Sequence, residues 1–172
     1  MEERSFEHEL KIEDDYRKSK ENQQQRYFFP LNQETNFRIN KFFRVISRDK
    51  KKLKKILTIK GRDFEIKNYF NGISRFDFKD LCDQNLNAGD YLEIAKNSKF
   101  IIIENIPQFN EINSNQQLRF ITLLDIIYDK NIPIAVTANV SLDQITSSRS
   151  LEKEFKRSVS RLYELTSKDY SQ

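Results

Sequence analysis

The run SKFIIIENIPQFNEINSNQQLRFITLLDIIYDKNIPIAVTAN, residues 98–139, decides the architecture. Within it, FIIIENI and IPIAVTA are unbroken apolar runs of strand length, which is how strands covered on both faces read. Between them SNQQLRFITLLDIIYDK repeats its apolar residues at helical spacing, and Ser114 with Gln117 reads as a capping box. Strand, helix, strand in this order predicts a parallel pair joined by a right-handed crossover. NAGDYLEIAKNSK, residues 87–99, adds a helix ahead of the first strand. The expected fold class is therefore α/β, with a largely parallel core sheet and crossover helices, preceded by a helix and β-hairpin region.

Upstream, RYFFPLNQETNFRINKFFRVISR gives an apolar anchor, a proline and Asn32 as an N-cap. The helix that follows is expected to place Phe37, Phe42, Phe43 and Ile46 on one apolar face. KKILTIKGRDFEIKNYFNGISRFDF alternates apolar and polar residues around Gly61 and again around Gly72. That pattern predicts a hairpin of Ile56–Lys60 with Asp63–Lys67, then a strand at Ser74–Phe78. The first 25 residues are highly charged, with at most a short strand from Leu10 to Tyr16. Downstream, a short helix is expected near Leu142–Ile145, and the chain should close with a helical turn and a last strand around Arg161–Leu165. The divisions read as a flexible lead-in at 1–26, a basic helix and hairpin region at 27–75, and an α/β module at 76–172.

Composition narrows the chemistry. The 172 residues are 37% hydrophobic and 33% charged, with 14 Phe and 7 Tyr, which suits a folded domain with a real core. No apolar run reaches the roughly 18 residues of a membrane span, and MEERSFEHEL lacks the pattern of a signal peptide. With one cysteine, Cys82, and one histidine, His8, counting argues against an internal disulfide, a Cys-rich zinc site or a Ser/His/Asp triad. Cys82 reads as a small buried apolar residue. The net charge of +4 hides an asymmetry: residues 1–75 carry 19 Lys/Arg against 12 Asp/Glu, and residues 76–172 carry 11 against 14. The densest basic run is SRDKKKLKKILTIKGR, residues 47–62. Such a run can hold phosphates or an anionic membrane surface. The simpler reading is a solvated face, because no aromatic platform is interleaved within the lysines, and nucleic acid is not expected as a partner.

FIIIEN resembles a Walker B strand, and IPIAVTAN resembles the sensor strand that ends in Asn in AAA+ ATPases. A P-loop ATPase also needs Gly-x-x-x-x-Gly-Lys-Ser/Thr, whose backbone amides wrap the phosphates. The three glycines, Gly61, Gly72 and Gly89, are not followed by Lys-Ser or Lys-Thr, and Glu104 is followed by Asn105 where Walker B offers two acids in succession. Both segments are therefore expected to be core strands.

A longer stretch carries a more specific likeness. RFDFKDLCDQNLNAGDYLEIAKNSKFIIIENIPQFNEINSNQQLRFITLLDIIYDKNIPIAVTAN, with FKRSVSRLYELTSKDY after it, closely resembles the C-terminal part of the ZapE family of AAA+ ATPases, also called AFG-one-like ATPases. Members carry F-x-F-x-x-L-C, A-x-D-Y-L-x-[IL]-A, a strand ending in V-P, R-F-[IV]-x-L-[IV]-D-x-x-Y-[DE], and F-x-R-T-x-S-R-L-x-E-M-x-S-x-D-Y. The likeness is strongest over residues 76–170 and weakens forward through RYFFPL to DDYR at 14–17. Matching positions are Phe76, Phe78, Leu81, Cys82, Asp90, Tyr91, Pro107, Arg119, Phe120, Asp125, Tyr128, Arg157, Ser160, Arg161, Glu164, Asp169 and Tyr170. Ile106, Ser158 and Leu165 stand where members usually have Val, Thr and Met.

In that family the Walker A, Walker B, sensor Asn and arginine finger precede the T-D-Y-R segment. The resemblance thus implies a truncated or split member: the C-terminal module of an ATP-hydrolysing, cell-division-associated protein, not ATPase-competent alone. It implies no catalytic residue here, and ATP and magnesium only on assembly with a separately encoded P-loop half. FtsZ is the implied client, and the implied location is cytoplasmic with a peripheral membrane contact. The alternative is a non-catalytic protein-binding module or a decaying gene remnant. Asp125 reads as a buried partner of Arg119 or a backbone amide. Arg157 and Arg161 are the candidate cofactor-binding residues, phosphate sensors in an assembled enzyme, because guanidinium matches phosphate bidentately. Ion pairing with Glu152, Glu154 or Glu164 is the simpler role for them.

Overall fold

A computed structural model describes residues 26–170. The expected strand at Leu10–Tyr16 and the lead-in before residue 26 lie outside the described residues. The central sheet has five strands. These are β1 (Tyr27–Phe28), β4 (Asn68–Phe70), β5 (Ile73–Asp77), β6 (Phe100–Ile106) and β7 (Ile134–Ala138), in the order β1-β7-β6-β5-β4. β1, β7, β6 and β5 run parallel, and β4 is antiparallel to β5. The remaining strands, β2 (Lys55–Ile59) and β3 (Arg62–Ile66), form a separate antiparallel hairpin. The helices are α1 (Gln33–Ile46), α2 (Phe78–Cys82), α3 (Ala88–Lys96), α4 (Ser114–Asp129) and α5 (Glu152–Ser167). The α/β class, the mostly parallel sheet and the leading helix and hairpin are as the sequence predicts.

Strand alternation sorts the core into two layers. In β6, Phe100 and Ile102 join Phe28, Ile39, Ile46, Ile73 and Ala135 beneath α1. Ile101, Ile103 and Ile106 face the larger cluster under α2 to α5, with Phe78, Phe109, Phe120, Leu124 and Leu162. Both faces of β6 are thus covered, which is why FIIIENI shows no polar alternation. Burying each isoleucine is worth about 2 kcal/mol.

Several elements depart from the sequence reading. On α1, Ile39 and Ile46 face the core while Phe37 is 62% exposed. The actual buried stripe is Thr35, Ile39, Ile46, and Phe37 lies on its opposite side. The expected strand to Phe78 stops at Asp77, whose carboxylate accepts the Lys79 backbone N–H at 3.0 Å and starts α2 instead. Ser114 is not a cap: α4 has Asn113 at that place and no side-chain cap bond. Gln117 instead is fully buried and turns away, donating to Ser147 Oγ at 2.7 Å and accepting the Ser148 backbone N–H at 3.0 Å. The last strand at Arg161–Leu165 does not exist, because α5 runs unbroken through it. Its buried residues Phe155, Ser158, Leu162, Leu165 and Thr166 fall at helical spacing and pack against α4 and β7.

Arg26 ties the two ends of this unit together. It donates to the carbonyls of Thr166 at 2.8 Å, Leu165 at 3.3 Å and Lys168, the last turn of α5. Burial lowers its pKa to about 10, with Asp169 pulling the other way. Among the described residues, no helix is long and apolar enough to cross a membrane.

Candidate functional site

In open parallel sheets ligands bind beyond the carboxyl ends of the strands. Here that edge collects Asp77 of β5, Glu104 and Asn105 of β6, and Thr137 of β7, while β1 leads directly into the N-terminus of α1. A strand, a turn and a helix N-terminus beside two parallel strands would suit phosphate if their polar groups were free.

The acidic strand end is already engaged. Arg75 Nε donates to Glu104 Oε1 at 2.5 Å, and the same guanidinium donates to Asn40 of α1 at 2.7 Å. Its plane lies over Phe43, 4.9 Å from the ring centre. Both partners of the ion pair are about one-fifth exposed, so Glu104 is a tethered carboxylate rather than a free ligand. Asn105 has φ +66°, and the β6–β7 register shifts between Ile103 and Ile106. Asn is among the few non-glycine residues that tolerate that left-handed backbone. The bulge is locked from both sides: the Asn105 N–H donates to Thr137 Oγ1 at 2.8 Å and its amide donates to Asp77 Oδ2 at 2.6 Å. Asn105 therefore serves the bulge, and an ionised acid in its place could not donate to Asp77.

The α1 N-terminus is likewise occupied. Asn32 Oδ1 accepts the Thr35 N–H at 2.9 Å, taking a donor that an anion would need. No glycine lies between Tyr27 and Lys60 to let backbone approach a phosphate. Beside Glu104 a crevice of about 440 Å³ opens against the hairpin. Its walls include Asp63, Glu65, Asp77, Asp80 and Glu104 against only Lys67 and Arg75, a field that repels a polyphosphate. The residues at this edge do not fit ATP with magnesium. Among the described residues no group of three or more His, Cys, Asp or Glu is disposed to hold a metal ion.

Arg157 and Arg161 lie elsewhere. Both point to Asp125 of α4: Arg161 pairs with Oδ1, and Arg157 stands 3.9 Å from Oδ2. Arg161 also stacks over Tyr128, 4.6 Å from the ring centre. Their carboxylate partner is thus Asp125 on the neighbouring helix rather than Glu152, Glu154 or Glu164 on their own. Asp125 sits eleven residues into α4, about 16 Å along an axis that runs back from the carboxyl edge. The two arginines and Glu104 do not converge. Arg119, expected as Asp125's partner, donates instead to the Cys82 carbonyl at 3.0 Å.

Cys82 is fully buried, and burial pushes its thiol well above the usual range, with a hydrogen bond to Tyr91 acting in the opposite sense. Tyr91 OH donates to the Leu81 carbonyl at 2.7 Å. Asp90, also fully buried, closes the α3 capping box with Asn87 and receives Arg62 from the hairpin at 2.6 Å. The sequence reading missed Arg75, Asn40 and Arg26. Arg75 is the one cation inside the β5 run ISRFD, and that was the available signal.

The family model described as AFG1-like ATPase matches residues 8–172. Lactation elevated protein 1 homolog B of Danio rerio is 33% identical over 111 residues, 64% of this chain and 22% of that protein. Cell division protein ZapE of Escherichia coli K12 is 26% identical over 156 residues, 91% of this chain and 42% of that protein. The chain spans less than half the length of these curated relatives. No solved structure matches it.

Proposed function

The chain belongs to the AFG1-like ATPase family, and from that premise we propose that it acts as the C-terminal module of an ATP-hydrolysing, cell-division-associated AAA+ protein and binds no nucleotide by itself. One observation carries the second part. At the carboxyl edge of the parallel sheet, the groups a phosphate would use are taken by the chain's own side chains, Arg75 on Glu104 and Asn32 on the Thr35 amide. In this reading ATP and magnesium are held by a P-loop half distinct from these residues, and this module braces that half and presents surface to a client. The client proposed is FtsZ, and the support for a division role is the similarity to cell division protein ZapE. The proposed place of action is the cytoplasm.

The test is ATP turnover by the purified chain alone and after adding a purified P-loop half of a family member. The proposal expects no turnover from the chain alone and a rise in the turnover of the P-loop half when the chain is added. Turnover by the chain alone would overturn it. Arg157→Ala with Arg161→Ala in the mixed enzyme addresses the sensor role: unchanged turnover would remove it.

A further inference from the structure

The amino edge of the parallel sheet, opposite the edge described above, is rimmed by lysine. After α1 ends at Ile46, residues 48–54 carry Arg48, Lys50, Lys51, Lys52 and Lys54 against a single acid, Asp49. Lys99 stands immediately before β6, and Lys130 follows α4 on the way to β7. Lys50 is half-buried and the other six cations are exposed. None of the five salt bridges among the described residues involves any of them. A cation just past a helix end eases the helix dipole, which accounts for Lys130. That effect fades within a turn, so it leaves most of the loop cations without a role.

The loop has a defined place. The Leu53 N–H donates to the Tyr69 carbonyl at 2.8 Å, which holds the loop along the outer side of β4, at one margin of the sheet. Arg26, where the described residues begin, lies at the other margin, its carbonyl accepting the Val136 N–H at 2.8 Å. Five strand spacings of about 4.8 Å separate β1 from the loop, a span of about 24 Å.

An opposite charge of the same size precedes Arg26 in the chain. Residues 7–15 hold Glu7, Glu9, Glu13, Asp14 and Asp15 against Lys11, a net −4, where residues 48–54 carry +4. These acids stand 11 to 19 residues ahead of Arg26, a length of chain whose r.m.s. reach is about 18–24 Å. Reach and span therefore agree. A tethered group whose reach matches the span is presented at an effective concentration in the millimolar range.

We propose that residues 7–15 of the same chain are the ligand of the lysine rim. They form an acidic strap that pairs with Lys50, Lys51, Lys52 and Lys54, with Lys99 and Lys130 along its route. A free anion meets the loop without the tether and has to displace the strap to bind. The inference does not depend on the nucleotide reading, since none of these residues lies at the carboxyl edge.

The experiment is zero-length carbodiimide coupling of the full chain at low micromolar concentration, mapped by peptide mass spectrometry. Coupling joins a carboxylate to an amine only where the two are in contact. Links from residues 7–15 to Lys50, Lys51, Lys52 and Lys54 are expected within single chains, and salt at about 1 M should suppress them several-fold. Glu13→Lys with Asp14→Lys and Asp15→Lys should lose most of these links. Adding Lys51→Glu, Lys52→Glu and Lys54→Glu to that variant should restore them between the exchanged partners, which a contact held by anything but charge would not do. The lysines changed are exposed, and an unchanged melting transition reports an intact fold. Absence of links between residues 7–15 and the loop, links spread evenly over all lysines, or no recovery in the exchanged variant would overturn the proposal. Links found only between two copies would also overturn it, giving the loop to a neighbouring chain.

Discussion

At the scale of single residues, ion pairs fix where charged groups point. Asp125 collects Arg161 closely and Arg157 loosely, and their exposures differ, 22% against 59%. Arg161→Ala should cost about 1 kcal/mol, combining a partly shielded pair with stacking on Tyr128, and Arg157→Ala less than about 0.5 kcal/mol. Urea denaturation of both variants, repeated with Asp125→Ala as background, checks this, since the difference should shrink once the shared carboxylate is gone. Cys82 makes a second residue-scale prediction. Its native pKa is raised by burial, so its stabilising contribution is complete below the unfolded thiol value near about 8.5 and is lost as pH climbs from there toward the native value. Stability measured from pH 7 to 10 should therefore fall less steeply in Cys82→Ala than in the parent. At this scale the sequence disclosed the identity of Asp125, Arg157 and Arg161 but not their pairing. Which of several nearby acids an arginine meets is decided by helix packing, and Glu154 and Glu164 on the same helix were equally close in sequence.

At the scale of elements, hydrophobic period and turn chemistry made most of the fold legible. The two-residue turn at Lys60 and Gly61, both with positive φ, closes β2 on β3 as the Gly61 signal predicts. Asn71 and Gly72 do the same for β4 and β5, a second hairpin where the sequence reading placed only a strand at Ser74–Phe78. Termini were harder to read, because a cap is a geometry and several residues can supply the oxygen. Asn87→Ala should destabilise by about 1 kcal/mol, since the α3 capping box is formed, whereas Ser114→Ala should cost less than about 0.5 kcal/mol because that hydroxyl caps nothing. Thermal or urea denaturation of the two variants distinguishes the real cap from the apparent one. α5 was misread because RLYEL is a short stretch of strand length with Leu and Tyr in it, and only the longer period from Phe155 to Thr166 exposes the helix. Ser160, exposed in the middle of α5, tests the correction: Ser160→Pro should cost about 3 kcal/mol or more by removing an internal helix bond, while Ser160→Ala should be nearly neutral.

At the scale of the whole molecule, one parallel sheet carries α1 on one face and α2 to α5 on the other. Its carboxyl edge is filled by the chain's own polar groups, with Arg75 joining β5 to β6 and α1, and Asn105 joining β6 to β5 and β7. The sequence showed the hydrophobic run and the missing glycines. It did not show that Glu104 would be tethered, because its partner lies one strand away and 29 residues earlier. The account's central claim is that these residues fold as a unit and bind no nucleotide unaided. A thermal-unfolding series of the purified chain with and without millimolar Mg-ATP tests it most directly. A ligand at about 100 times its dissociation constant adds about 2.7 kcal/mol, which for a chain of this size raises the midpoint by about 5–10 °C. The account predicts a cooperative transition whose midpoint does not move with Mg-ATP. A midpoint that climbs with nucleotide concentration would contradict it and would make Glu104 and Arg75 the first residues to substitute.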